Sequence, residues 1–151
     1  PKTDINKVRE NIGFVFQSFN LYSHLTALEN VSFPMEYKGM DKEVAREKSK
    51  EVLNILGISK DKQSRYPSNL SGGEQQRVAI GRTLATGAKV ILADEPTGNL
   101  DEENSGRIMD ILKELAHEQG FCLIIVTHDM EIAEASDFVW RIKDGTMEKV
   151  M

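Results

Sequence analysis

Two unbroken apolar runs constrain the fold of this chain more than any other feature of its sequence. The first covers residues 90–93 and is closed by Asp94, and the second covers residues 121–126 and is closed by the polar residues 127–129. Runs of this length without polar alternation are typical of strands buried on both faces of a parallel sheet. They therefore predict two strands of an α/β domain, each ending in polar side chains.

A parallel pair of strands needs a crossover connection, and residues 104–118 predict the helix that makes it. The apolar stripe of that helix consists of Ile108, Ile111, Leu112 and Leu115. Residues 12–17 predict another short buried strand, which ends at Gln17. Residues 138–150 predict a β-hairpin that turns at an Asp-Gly pair, residues 144–145.

The stretch between the first strand and the apolar runs predicts helices. Residues 41–56 form an amphipathic pattern that Asp41 can cap. The apolar face of this helix is predicted to hold Val44, Lys48, Val52, Ile55 and Leu56. A further helix is predicted over residues 73–85, and Pro34 is expected to break any long helix between residues 20 and 37.

Together these elements predict one α/β domain with an incomplete, mostly parallel sheet. The predicted α/β core is divided between residues 1–23 and 87–151, and residues 24–86 form a helical insertion. A chain of 151 residues is long enough for one such domain around a core of its own.

Composition excludes several classes of protein. The net charge of −5 argues against a nucleic-acid surface, because a basic stripe supplies most of that affinity. A single cysteine, Cys122, cannot form a disulfide within the chain, which favours a reducing compartment. We expect Cys122 to be a small buried core residue. No stretch approaches the ~20 apolar residues of a membrane span, and residues 1–7 contain no apolar signal segment.

Residues 70–77, Leu-Ser-Gly-Gly-Glu-Gln-Gln-Arg, form the most informative motif. One interpretation is a capping box, in which Ser71 and Glu74 start a helix. A cap does not need two adjacent glycines, however. Gly72 and Gly73 leave the helix N-terminus bare, so its amides and positive dipole end can approach an anion. From these residues alone, a plain cap and a phosphate site are equally open.

Acidic residues close the first apolar run. Asp94 falls at the carboxyl end of a predicted parallel strand, where α/β sheets bind ligands. Phosphoryl-transfer ATPases use such an aspartate to hold Mg²⁺. A following glutamate such as Glu95 can polarise the attacking water as general base. The alternative is that both acids only cap the end of the strand.

His128 follows the second run and is expected at the same edge of the sheet as Asp94. A lone histidine is more often structural than catalytic, and we interpret His24 and His117 as structural. Gln17, after the first strand, indicates no function by itself. It becomes informative only through its position in the chain relative to the other motifs.

In their order along the chain, these segments resemble the ATP-binding domain of the ABC transporter family. Gln17 matches the glutamine loop, residues 70–75 the signature motif, residues 90–95 the Walker B strand, residues 98–101 the D-loop and His128 the switch histidine. The resemblance covers residues 12–151 and implies the P-loop NTPase type of fold. Residues 94–101 look most like the branch that powers lipoprotein release and the efflux of macrolides and peptides.

The resemblance implies a role for each residue that follows a predicted strand. Asp94 would support Mg²⁺, usually through water, and Glu95 would be the general base. His128 would contact the γ-phosphate of ATP. Gln17 would sense Mg²⁺ and the attacking water, and would move the loop that faces the membrane partner.

The resemblance also implies a partner subunit. The signature residues Ser71, Gly72 and Gly73, with Glu74 in the same motif, would bind the γ-phosphate of a nucleotide held by a second domain in a head-to-tail dimer. Asp101 would link the two domains.

The sequence departs from the family pattern because it contains no Gly-x-x-x-x-Gly-Lys-Ser/Thr segment. The family places this P-loop, and an aromatic residue that stacks on adenine, ahead of the glutamine loop, so we interpret the chain as truncated at its N-terminus. The P-loop supplies the main phosphate-binding amides and a lysine. We therefore predict that the isolated chain neither binds ATP tightly nor hydrolyses it.

The missing elements should also leave apolar surface on the strands at residues 90–92 and 123–126. Exposed apolar strands recruit other chains. We predict self-association, an altered fold or a requirement for the missing part.

The function implied by the resemblance is that of the ATP-binding subunit of an ABC transporter. Such a subunit is cytoplasmic and peripheral at the inner face of the cell membrane, and it works with a membrane-spanning permease and no nucleic acid. The alternatives are a non-transport ABC ATPase, ribosome-associated or of the repair type, and a non-catalytic fragment. The segment between Gln17 and Ser71 contains no long heptad stretch, which disfavours repair members.

Overall fold

The computed structural model describes residues 4–151. The helices are α1 (Ile5–Glu10), α2 (Ala27–Tyr37), α3 (Lys42–Ile55), α4 (Lys60–Gln63), α5 (Gly72–Ala85), α6 (Glu102–His117) and α7 (Met130–Glu134). The strands are β1 (Ile12–Phe16), β2 (Val90–Asp94), β3 (Cys122–Val126), β4 (Trp140–Lys143) and β5 (Thr146–Lys149). The predicted strands, the crossover helix, the hairpin and the helices at 41–56 and 73–85 are confirmed.

Three strands form a parallel sheet in the order β1-β2-β3, which confirms the predicted α/β class. α6 makes the crossover between β2 and β3. The register aligns Phe16, Asp94 and Val126 at the carboxyl edge of the sheet. Since the strands run in one direction, the residues that follow them gather at this edge.

One face of the sheet is covered by α5 and α6. The core on this covered face consists of the buried residues Val15, Leu56, Ile80, Ile91, Ala93, Ile108, Leu112 and Leu115. The apolar stripe predicted on α6 is confirmed, with Ile111 partly buried. Thr83 in α5 adds a polar tie, because its hydroxyl donates a hydrogen bond of 2.9 Å to the carbonyl of Phe14. Burial of these apolar side chains is the main stabilising contribution to the sheet.

The opposite face, here called the open face, carries exposed apolar side chains. Phe14 is 46% exposed, Ile124 49% and Val126 61%. The predicted apolar surface is thus confirmed at residues 124 and 126, but residues 90 and 92 are only half-buried and the prediction is wrong for Ile91, which is fully buried. Self-association stays a prediction. The prediction that Cys122 is buried is wrong. Its side chain is exposed because it alternates along β3 onto the same face as Ile124.

A second apolar core lies among the helices between β1 and β2. It consists of Ala27, Leu28, Val31, Leu53, Ile58, Leu70 and Val78. α2 enters this core through a capping box: the Thr26 hydroxyl accepts from the amide of Glu29 at 3.2 Å, and the Glu29 carboxylate accepts from the amide of Thr26 at 2.9 Å. The reciprocal cap fixes where the helix starts.

The prediction that Pro34 breaks a helix is wrong. Pro34 lies inside α2, which continues to Tyr37. A proline inside a helix removes one backbone hydrogen bond. That loss is offset because Val31 and Met35, before and after the proline, are both buried.

The apolar face predicted for α3 is partly wrong. Val44 and Ile55 are exposed, whereas Ala45, Ser49 and Leu53 are buried along one side. The small side chains of Ala45 and Ser49 allow close approach to the neighbouring helices. Burial of Ser49 is tolerated because its hydroxyl donates a hydrogen bond of 2.7 Å to the carbonyl of Ala45.

β4 and β5 form an antiparallel hairpin outside the parallel sheet. The hairpin turns at Asp144 and Gly145, whose φ angles of 49° and 76° are those a two-residue turn of this kind needs. Trp140, Ile142 and Met147 share one face of the hairpin, and each is more than half exposed.

Candidate functional site

Glu95 and His128 meet at the carboxyl edge of the sheet, where the sequence predicts both. Nδ1 of His128 lies 2.6 Å from Oε1 of Glu95, and the backbone amide of His128 donates to the same oxygen at 3.0 Å. The hydroxyl of Thr127 donates to Oε2 of Glu95 at 3.1 Å. Thr127, which the sequence analysis did not single out, therefore holds the second carboxylate oxygen.

The backbone of Glu95 is left-handed, with φ of 44°. This conformation is unfavourable for a residue with a Cβ atom and must be held by its surroundings. The amide of Glu95 donates a hydrogen bond of 2.9 Å to the carbonyl of Val126. The turn after β2 is thereby tied to β3, and the carboxylate is placed beside the loop that carries His128.

The contact between Glu95 and His128 favours the charged form of each group. Partial burial acts to raise the pKa of Glu95, but hydrogen bonds from His128 and Thr127 outweigh it and hold that pKa below its ordinary value. The hydrogen bond to Glu95 and the charge of Glu95 raise the pKa of His128. Glu95 is therefore an ionised carboxylate near neutral pH, which is the form a general base requires.

Asp94 is exposed at the end of β2 and alternates onto the open face with Leu92. Mg²⁺ accepts one or two protein carboxylates and keeps several other oxygen ligands. Across residues 4–151, no three His, Cys, Asp or Glu side chains gather in a way that could hold a metal ion. Asp94 suits a metal whose remaining ligands come from water and phosphate.

Gln17 is tied to the turn that follows β2. Its Nε2 donates to Oδ1 of Asn99 at 3.3 Å, and Nδ2 of Asn99 donates to the carbonyl of Gln17 at 3.0 Å. Gly98 packs so closely that a Cβ atom there would lie 2.6 Å from Nε2 of Gln17. The structure therefore joins Gln17 to Asn99, a contact the sequence analysis did not identify.

The signature residues form the first turn of α5. The Ser71 hydroxyl accepts from the amide of Glu74 at 3.3 Å, and the Glu74 carboxylate accepts from the amide of Ser71 at 3.0 Å and from Lys62. The capping-box interpretation is thus confirmed. It leaves the amides of Gly72 and Gly73 without partners inside the helix, so the phosphate-site interpretation stays open beside it.

Asn104 connects the signature turn with Asp101. A Cβ atom on Gly73 would clash with Oδ1 of Asn104, so any larger residue would force the Asn104 side chain to move. Nδ2 of Asn104 donates to both carboxylate oxygens of Asp101, at 3.0 and 2.8 Å. Asp101 also caps α6 by accepting from the amide of Asn104 at 2.8 Å. The sequence analysis missed Asn104, because its neighbours in the chain do not indicate this contact.

Comparison with known proteins identifies relatives. The family model described as ABC transporter matches residues 1–98. An uncharacterised ABC transporter ATP-binding protein of Thermotoga maritima is 47% identical over 139 residues, which are 92% of this chain and 58% of that protein. The macrolide export ATP-binding/permease protein MacB 2 of Aeromonas hydrophila is 48% identical over 92% of this chain, but the match spans 21% of its own length. The chain thus spans less than two thirds of either relative.

The fold of this chain is also similar to solved structures of ABC transporter proteins. The dimeric post-hydrolysis state of the ATP-binding cassette MJ0796, bound to ADP and Pi, superposes with a TM-score of 0.83 at 40% identity, covering 100% of this chain and 68% of that one. The cbiO1 protein of Clostridium perfringens, part of the cbiONQ transporter complex, gives a TM-score of 0.85 at 33% identity over 98% of this chain and 59% of its own.

Proposed function

Because this chain belongs to the ABC transporter family, we propose that it is the larger part of an ATP-binding domain whose ATP hydrolysis drives transport across a membrane. The observation that carries the proposal is the Glu95 carboxylate, held by His128 and Thr127 at the sheet edge that also presents Asp94. A base and a metal-supporting acid on adjacent residues suit the hydrolysis of a Mg²⁺-bound nucleotide.

The residues present fit part of a nucleotide site. Ser71 is exposed and Gly72 is half-buried at the N-terminus of α5, so this end of the helix, whose first amides have no partners inside the helix, can approach a phosphate. Asp94 is exposed and has the oxygen chemistry that Mg²⁺ prefers. Bound ATP and Mg²⁺ would supply the phosphoanhydride bond and the charge that polarises it.

Within one chain, each residue at the carboxyl edge has a distinct proposed role. Asp94 supports the metal through water. Glu95 orients the attacking water and accepts its proton, and His128 both holds Glu95 and donates to the γ-phosphate. Gln17 senses the bound Mg²⁺ and the attacking water. Its hydrogen bonds with Asn99 couple its position to the D-loop.

The signature turn acts in the partner's site. Ser71, Gly72 and Gly73 bind the γ-phosphate of a nucleotide held by a second domain, arranged head to tail. Glu74 shapes this turn, since its carboxylate already accepts from Ser71 and Lys62. Asp101 lies at the contact between the two domains.

A membrane-spanning permease is the proposed transport partner. No helix among residues 4–151 is long and apolar enough to cross a membrane, and the relatives include a fused export permease. We place the domain at the inner face of the membrane. Within the described residues, we propose that residues 4–23 and 87–151 belong to the α/β part and residues 24–86 to the helical part that carries the signature turn.

We further propose that this chain alone does not turn over ATP, since its sequence contains no P-loop. Calorimetry with Mg²⁺-ATP should show no micromolar binding to the 151-residue chain. Micromolar binding, or release of phosphate that depends on Mg²⁺, would contradict the proposal.

The hydrolytic proposal is tested by joining the P-loop segment of an ABC relative ahead of the chain. The joined protein should hydrolyse ATP, and Glu95→Gln should lower kcat by roughly 10²–10⁴-fold, the usual contribution of a general base. Glu114→Gln, a change on α6 away from the carboxyl edge, is the matched control and should leave kcat unchanged. Near-normal turnover in Glu95→Gln would remove Glu95 from the role of base.

A further inference from the structure

Gln76 is a fully buried polar side chain in α5 that contacts two distant segments. Its Nε2 donates to the carbonyl of Pro96 at 2.6 Å and to the carbonyl of Phe16 at 3.2 Å. The side chain has no solvent exposure. Both amide protons of Gln76 therefore have an acceptor, one in the turn after β2 and one at the end of β1.

The two acceptors adjoin residues of the proposed site. Pro96 follows Glu95, whose backbone is strained, and Phe16 precedes Gln17. α5 itself begins at the signature turn. The Gln76 side chain thus links three segments. It lies in the helix that starts at the signature turn, and it bonds to the backbone next to Glu95 and next to Gln17.

Packing alone does not explain a glutamine at this position. Its Oε1 is buried and has no hydrogen-bond partner in the described structure. A buried acceptor without a partner is destabilising, and an apolar side chain of similar shape would avoid that cost. The two donated bonds are what a glutamine adds.

We propose that Gln76 is a positioning residue that holds the glutamine loop, the turn after Glu95 and the signature helix in one fixed arrangement. The proposal rests on the proposed function for its catalytic consequence. Its structural part, a clamp formed by the Gln76 amide, can be tested on the chain itself without any nucleotide.

The first experiment compares backbone hydrogen exchange in Gln76→Met and Thr83→Val. The methionine keeps the volume of the side chain and loses both donors, while Thr83→Val removes a single hydroxyl bond from the same helix to β1, away from the site. In Gln76→Met the amides of Phe19 and Gly98, which close the two turns, should exchange at least about tenfold faster. Thr83→Val should leave them unchanged. Equal rates in both variants would overturn the clamp.

A second measurement needs only the unchanged chain and covers the case in which Gln76→Met fails to fold. Gln75, the next residue, donates from its Nε2 to the carbonyl of Leu70 at 3.1 Å and is only half-buried. The side-chain amide protons of Gln76 should exchange at least about tenfold more slowly than those of Gln75. Similar rates for the two side chains would show that the clamp is not formed.

The catalytic consequence is measured in the protein joined to a P-loop. Gln76→Met should lower kcat by about tenfold and change KM little, because the clamp sets the geometry of the water-activating residues and not the affinity for nucleotide. Thr83→Val should keep kcat. An unchanged kcat in Gln76→Met overturns the positioning role, whereas an unmodified protein without turnover would reject the proposed function and leave the exchange experiments to decide the clamp.

Discussion

The covered face and the open face of the three-stranded sheet are built from the same kinds of residue and differ in what lies over them. Ile91 in β2 is fully buried beneath α5 and α6, whereas Ile124 in the adjacent strand is nearly half exposed. The comparison teaches that an unbroken apolar run shows that a strand is suited to burial on both faces. It does not show that the same 151 residues provide both covers.

The largest expected effect comes from Ile91→Ala on the covered face. Removing a buried isoleucine side chain loses its transfer energy and leaves a cavity, so unfolding in urea should show a loss of roughly 2–5 kcal/mol. Ile124→Ala is the matched control and should cost less than about 1 kcal/mol, because its side chain already contacts solvent. Equal losses would mean that the open face is covered in solution.

Self-association is a second property in which the open face should differ from the covered face. We expect the chain to self-associate, because apolar strand residues that are half exposed favour contact with another copy. Ile124→Lys should shift the sedimentation distribution toward the monomer without lowering stability by more than about 1 kcal/mol. Lys42→Ala, on the helical part, should leave association unchanged. A monomeric chain with a sharp thermal transition would contradict the expectation.

The cap of the helix over the covered face gives a smaller effect. Ser71→Ala removes the hydroxyl that accepts from the amide of Glu74, and should lower the free energy of unfolding by about 1 kcal/mol. Ser59→Ala is the control, since Ser59 precedes α4 without a side-chain bond to the helix backbone. Ser59→Ala should lower the free energy of unfolding by only a few tenths of the loss expected for Ser71→Ala. A larger loss in Ser59→Ala would remove the cap as the explanation.

The smallest effect is expected at the edge where the two faces meet, in the pairing of Glu95 with His128. Its contribution is lost at high pH as His128 deprotonates above its raised pKa, and at low pH as Glu95 is protonated below its lowered pKa. Stability from this pair is therefore greatest between the ordinary pKa values of Glu, 4.5, and His, 6.5. The His128 side chain is 87% exposed, so salt should weaken the pairing, although Glu95 is only 22% exposed.

NMR titration of His128 checks this directly. Glu95→Gln should return the pKa of His128 toward its ordinary value, because it removes the main cause of the rise. Asp129→Asn removes a minor cause and should lower the pKa less. A pKa of His128 that is the same in Glu95→Gln and in the unchanged chain would show that the contact is not formed in solution.

Much of the fold could be predicted because its signals are local. The run ending at Asp94 and the Asp-Gly pair at residues 144–145 each determine an element from adjacent residues. The placement of Asp94, Glu95 and His128 at one edge followed from the direction of the strands. Burial was harder to predict, since Cys122 is exposed only because β3 has one covered face.

The contacts that organise the site were beyond sequence reasoning. The helix patterns that include Asn104 and Gln76 predict the helices and not these contacts, because Gln17, Gly73 and Pro96, which Asn99, Asn104 and Gln76 contact, are distant in sequence. Three-dimensional hydrogen bonding of this kind leaves no local pattern from which it could have been inferred.

The position of Trp140 means that tryptophan fluorescence and circular dichroism report on different parts of the molecule. It is the only tryptophan in the sequence, and it lies on the hairpin, outside both apolar cores. Its fluorescence will therefore respond to solvent, quenchers or a neighbouring surface at the hairpin. It should change little when the helices unfold. Far-ultraviolet circular dichroism will follow the helices, so a mismatch between the two melting curves would locate the least stable part of the chain.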